Sequence, residues 1–167
     1  MNDLKKILDA LRSLGLYEKV EKFITGDKID YSIYWQRNPK YKGVKLGNSN
    51  LSFQNYGCFV CSLAYCAGKD PLEVNALLAS KGGMTKGGLV ITPKAFELLG
   101  FKYIKTERNI NAMPSQSPTI KEVSLGKSQH FTVRIIRNGK RLIFDPWLGE
   151  EKPINYYQFR SYRIFDK

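Results

Sequence analysis

A chain of 167 residues with 43% hydrophobic and 25% charged side chains is long enough for one buried core, which excludes a disordered or fibrous protein and argues against two independent domains. The formal net charge is +12, concentrated in residues 1–50 and 100–167 and sparing 51–99. A field of this sign favours anionic partners such as cell-wall polymers, nucleic acid or acidic lipid surfaces, but no recognisable nucleic-acid motif accompanies it.

At the N-terminus Leu4, Ile7, Leu8, Leu11 and Leu14 follow helical spacing to Gly15, and Tyr17, Val20, Phe23 and Ile24 continue it. Residues 3–25 therefore read as one broken helix or two short ones, within an N-terminal helical extension over 1–30. No apolar signal core precedes it, and no stretch reaches the roughly 20 apolar residues of a membrane span. The chain as given reads as soluble, without a signal peptide. Residues 26–57 show no sustained period, yet Tyr31, Tyr34, Trp35, Tyr41, Phe53 and Tyr56 predict an ordered, packed loop.

Residues 58–67 are small and apolar and end at Gly68, which predicts a buried helix with a glycine C-cap. Asp70, Pro71 and Glu73 give an N-cap, a first-turn proline and a capping-box carboxylate for a helix that stops at Gly82-Gly83. Thr92-Pro93 starts another, closed by Gly100. From Phe101 the pattern turns to strands, expected at 101–104, 119–125, 130–137, 140–145 and 159–165. Helices first and a sheet after make an α+β domain, with N-terminal helices packed on a C-terminal antiparallel sheet.

Cys58, Cys61 and Cys66 are an odd set of three within nine residues, which is no disulfide framework and suits a reducing compartment. Reactive cysteine is the thiolate, which a helix N-terminus and a protonated histidine favour. Cys58 follows Gly57 and opens the apolar helix, so it is the candidate nucleophile, with the glycine allowing the close backbone approach of a substrate-binding turn. Cys61 and Cys66 read as core residues. Zinc requires four ligands and the lone histidine is remote in sequence, so no metal or other cofactor is expected.

That histidine, His130, stands before the strongest hairpin signal in the chain: Phe131–Arg137, Asn138-Gly139, Lys140–Asp145. A two-residue turn pairs 137 with 140, 135 with 142, 133 with 144 and 132 with 145. His130 and Asp145 then become diagonal neighbours on one face, and the acid can orient the imidazole as general base. The opposite face (Phe131, Val133, Ile135, Leu142, Phe144) is the core side. The face of Thr132, Arg134, Arg141 and Ile143 suits a cleft wall. A one-residue slip would bury Asp145 in the core instead.

Gln36-Arg-Asn-Pro-Lys-Tyr41, Lys45-Leu-Gly-Asn-Ser-Asn50, Tyr56-Gly-Cys58, Ser62-Leu-Ala64, Asp70-Pro71, Gly82-Gly83, Gln129-His130-Phe131 and Asp145-Pro-Trp147 together resemble the papain-like cysteine peptidases. The branch resembled is that of the bacteriocin-leader peptidases and related stand-alone phage and bacterial members. The resemblance runs over roughly 31–147, within a peptidase domain expected over 31–167, and no transporter segment follows. It implies Cys58, His130 and Asp145 as nucleophile, base and orienter. It also implies an upstream glutamine whose amide helps the Cys58 N–H hold the oxyanion. Family members place that glutamine about six residues before the cysteine, where this chain has Ser52. Gln54 is closer than that; Gln36 is preferred, with 37–53 a hairpin-like insertion returning to Cys58.

The expected activity is amide hydrolysis through an acyl-enzyme, on a protein, a leader peptide or a peptidoglycan stem peptide. The basic surface and phage-like motifs tilt the reading toward a lytic, endolysin-type or processing role, in the cytoplasm or associated with a phage particle. The alternatives are a catalytically weak or inactive binding or scaffold module on the same fold, and acyl transfer by the same triad.

Overall fold

A computed structural model of the chain describes residues 30–112 and 119–166, so the helical pattern read over 3–25 lies outside the described residues. Tyr31–Lys167 gathers into one unit by its contacts. Short 3-10 turns at Tyr31–Tyr34 and Pro39–Tyr41 lead to helices α1 (Phe53–Tyr56), α2 (Cys58–Ala67), α3 (Pro71–Ser80) and α4 (Thr92–Leu98). Strands follow: β1 (Lys102–Glu107), β2 (Thr119–Leu125), β3 (Ser128–Arg137), β4 (Lys140–Asp145), β5 (Glu150–Pro153) and β6 (Gln158–Asp166). They form one antiparallel sheet in the order β1-β6-β2-β3-β4-β5. The molecule is α+β, helices before sheet. No helix among the described residues is long and apolar enough to cross a membrane.

The local signals explain the helices. α2 is apolar on nearly every side because it is buried on nearly every side, and Gly68 closes it at φ 63°, its N–H returning to the Ala64 and Tyr65 carbonyls. The Asp70 carboxylate accepts from the Leu72 N–H at 2.7 Å and caps α3. The described part of the aperiodic segment, 30–57, is more structured than its lack of period suggests. Leu46 N–H reaches Leu51 O at 2.8 Å and Phe53 N–H reaches Val44 O at 2.9 Å, a short hairpin that returns the chain to α1. Tyr34, Tyr41 and Phe53 of this segment are buried, whereas Tyr56 is 55% exposed.

α2 lies across β3. Phe59 stacks on Phe131 with centroids 4.2 Å apart, and Ser62 Oγ donates to the Phe131 carbonyl at 3.3 Å. Phe131, Val133, Ile135 and Phe144 are buried beneath the helices, as the hairpin pattern predicts. Each such apolar side chain contributes about 1.5–3 kcal/mol of burial free energy.

The other face of the sheet corrects the sequence reading. Of the expected cleft wall (Thr132, Arg134, Arg141 and Ile143), Arg141 is exposed, but Thr132, Arg134 and Ile143, with Asp145 on the same face, are each 2% exposed or less. Val123 and Tyr162 are buried with them, forming a second small core outside the main cluster. The cause is the connection from β5 to β6. In a flat sheet those strands would stand about 19 Å apart, while the five steps from Pro153 to Gln158 span at most about 18 Å. The sheet must therefore curl, and the connector closes over its concave side, where the Ile154 carbonyl accepts Lys121 Nζ at 2.5 Å. The strand β5 itself was not predicted. Its sequence, Glu-Glu-Lys-Pro, is an edge-strand composition with no apolar alternation.

Candidate functional site

Cys58 is the first residue of α2, half-buried, with Gly57 as N-cap. α1 and α2 would be one helix but for the break at Gly57, and the break has two effects. The first N–H groups of α2 have no acceptor within their own helix and face outward from its N-terminus. The carbonyl of Gln54, which a continuous helix would give to the Cys58 N–H, instead accepts from Gln36 Nε2 at 3.0 Å. Packing against α1 gives a further reason for glycine at 57. A Cβ there would lie 2.5 Å from the Phe53 carbonyl oxygen and 3.0 Å from its ring. Cys61 and Cys66 are buried, and burial pushes both thiols up in pKa, as expected for core residues.

The hairpin has the predicted register: Arg137 pairs with Lys140, Ile135 with Leu142 and Val133 with Phe144. Asn138 (φ 50°) and Gly139 (φ 73°) adopt the left-handed backbone of a two-residue turn. The ladder ends there, one pair before Thr132 and Asp145. His130 Nε2 meets Asp145 Oδ1 at 2.7 Å, and both side chains are almost fully buried. Asp145 accepts two further hydrogen bonds, from the Trp147 N–H at 2.8 Å on Oδ1 and from the Tyr157 hydroxyl at 2.5 Å on Oδ2, and the Tyr157 ring meets the His130 ring edge-on at 5.9 Å between centroids. Nε2 being committed to Asp145, Nδ1 is the nitrogen left for the hydrogen bond between the imidazole and Cys58.

These contacts decide the charge state. Burial alone would lower the His130 pKa, but the hydrogen bonds to Asp145 and Cys58 and their negative charges outweigh it and raise the value to about 9. Burial likewise works against ionised Asp145, and the His130, Tyr157 and Trp147 donors override it, holding the carboxyl below its ordinary range. At neutral pH these contacts favour the imidazolium form of His130 beside the Asp145 carboxylate.

Gln36 and Gln54 separate clearly. Gln54 donates its amide to the Arg37 and Asn38 carbonyls at 3.3 and 3.2 Å, and so serves the turn that follows Gln36. Gln36 is fully buried and lines the same cavity as Cys58 and His130. One amide proton goes to Gln54 O, and Oε1 has no hydrogen-bond partner among the described residues. Turning the amide over would set Oε1 against the Gln54 carbonyl, so the nitrogen stays where it is. Three contacts fix this segment on the turn after Asp145. Gln36 N–H donates to Pro146 O at 2.9 Å, Trp35 Nε1 to Trp147 O at 3.1 Å, and the Arg37 guanidinium lies 4.7 Å from the Trp147 ring. Gly149 is glycine because a Cβ would stand 2.7 Å from the Trp35 ring.

The cavity measures about 450 Å³. Gln36, Cys58, His130 and Trp147 form its polar end, while Leu46, Leu51, Leu89 and Val90 line the other, with Leu89 67% exposed at the rim. The structure thus brings Gln36, Cys58, His130 and Asp145 together and leaves Gln54 aside. Sequence reasoning missed Tyr157. It lies in the β5–β6 connector, whose Asn-Tyr-Tyr text carries no periodic or turn signal that points at Asp145. No protein-family model matches this chain, and neither the curated proteins nor the solved structures contain a match to it.

Proposed function

We propose that the chain is a papain-like cysteine hydrolase that cleaves amide bonds in peptides, proteins or peptidoglycan stem peptides. The observation that carries this reading is the continuous Cys58–His130–Asp145 chain at one end of a cavity, with the nucleophile at a helix N-terminus. The Cys58 thiolate attacks the carbonyl carbon, and the carbonyl π electrons move to oxygen. That oxyanion is held by the Cys58 N–H and the Gln36 amide. Collapse expels the amine, which takes its proton from the His130 imidazolium, leaving a thioester and a neutral imidazole. His130 then removes a proton from water as it attacks the thioester, and the acid product leaves with the thiolate and imidazolium restored. Asp145 keeps the ring in the orientation and charge state that both steps need. A helix beginning at the nucleophile, packed on an antiparallel sheet whose adjacent strands carry base and acid, supports the papain-like assignment over other α+β folds.

Turnover of a peptide library and of purified peptidoglycan by the wild type and by Cys58→Ala tests the proposal. The expected result is cleavage of at least one substrate class by the wild type and none by the variant. Equal cleavage by both proteins would remove Cys58 from the reaction.

A further inference from the structure

The polar end of the cleft continues past His130. Its neighbour Gln129 is exposed and lines a second cavity of about 380 Å³, walled otherwise by Arg108, Glu122, Arg160 and Ser161. The register explains the cluster. Glu122 pairs with Phe131 on one side and with Ser161 on the other, so the cavity lies on the face of the sheet that carries α2. Between Glu122 and Val123 the pairing with β6 jumps from Ser161 to Phe159. Arg160 is the extra residue of that bulge, and bulges re-aim the side chain they carry. Arg108 follows directly on β1.

The charges do not cancel. The Glu122 carboxylate lies 2.9 Å from Arg163 Nη2 and accepts the Ser161 hydroxyl at 2.6 Å, while Arg160 stands 4.0 Å away. Burial opposes ionisation of Glu122, but those donors overcome it and keep the carboxyl charged. The Arg163 guanidinium also lies over the Phe131 ring at 5.2 Å, so Arg163 is committed to the protein. Glu122 is shared between Arg163 and the more distant Arg160, so three guanidinium groups face one carboxylate, and Arg108 has no ion pair among the described residues. Two forked, permanently charged donors beside a polar trough match a carboxylate.

We infer that this second cavity is a subsite for an acidic side chain of a peptide lying in the cleft. The inference rests on the hydrolase reading for the identity of the ligand as substrate, though not for its binding. The double variant Arg108→Gln/Arg160→Gln alters exposed positions outside the reacting groups, so folding and basal cleavage are expected to persist. In a randomised peptide library read by mass spectrometry, wild-type cleavage sites should be enriched about three- to tenfold for Asp or Glu at one fixed position, the gain available to partly exposed ion pairs. The double variant should lose that enrichment and keep the cleavage. In a second arm, immobilised Cys58→Ala protein is exposed to the same library without turnover. Retained peptides should be acid-enriched, and the enrichment should vanish in roughly 0.5 M salt and in the triple variant that adds both arginine substitutions. Acid-selective retention without any cleavage by the wild type would overturn the hydrolase reading and leave the subsite standing. Retained peptides of input composition, or an acid preference unchanged by the arginine substitutions, would overturn the subsite.

Discussion

At the scale of single residues the site is a set of commitments made by hydrogen-bonding groups. Because His130 is the only histidine, its ring gives an unambiguous NMR signal, expected to titrate at about 9. In Asp145→Asn the carboxylate's share of that shift is lost and the titration should move down toward the ordinary histidine value of about 6.5. An unchanged titration would mean that Asp145 does not govern the ring. Gln36→Ala is expected to lower kcat by about 10²–10³ if its amide holds the oxyanion, while Gln54→Ala, which loosens only a turn, costs far less. Single-turnover kinetics on a peptide that the wild type cleaves separate the two. The pairing of His130 with Asp145 was legible because Asn138-Gly139 admits essentially one turn and so fixes every residue's partner. Tyr157 was not legible, since its contact with Asp145 spans a connector whose path depends on how far the sheet curls.

Elements are placed by breaks and edges as much as by periodicity. Gly57 splits what would be one helix, which frees the α2 N-terminus at Cys58 and turns the Gln54 carbonyl toward Gln36. Gly57→Ala brings a Cβ against a backbone carbonyl that cannot move independently of α1. The expected cost is about 1–3 kcal/mol in urea unfolding, with a fall in activity from the displaced Cys58. A variant of wild-type stability would show that α1 yields freely. The helices α2 to α4 were readable from caps and glycines, because each end is decided within a few residues. The strand β5 was hidden, because an edge strand of charged residues needs only a neighbour's backbone.

Over the whole molecule, the curled sheet makes stability depend on the same ion pair that serves the site. The raised His130 pKa contributes stability that is complete below about 6.5 and is lost as pH rises through about 9. The depressed Asp145 pKa contributes stability present above the ordinary carboxylate range and lost as pH falls below it. Denaturant unfolding is therefore expected to show a plateau between about pH 4 and 6.5, falling by roughly 3 kcal/mol toward alkaline pH. In His130→Ala the alkaline fall should disappear; its persistence would place the titrating group elsewhere. Most of the face expected to be a cleft wall, Thr132, Arg134 and Ile143, is buried because strand order is a long-range property. Nothing in residues 130–145 says that β6 will return between β1 and β2 and draw the connector across them.

The central claim is that the Cys58 sulfur is activated by the imidazole of His130. The rate of iodoacetamide alkylation of each cysteine, resolved by peptide mass spectrometry at neutral pH in the wild type and in His130→Ala, tests it most directly. Cys58 should react at least tenfold faster than Cys61 and Cys66 in the folded wild type, and the substitution should slow Cys58 alone. Equal rates at Cys58 in the two proteins would contradict the account.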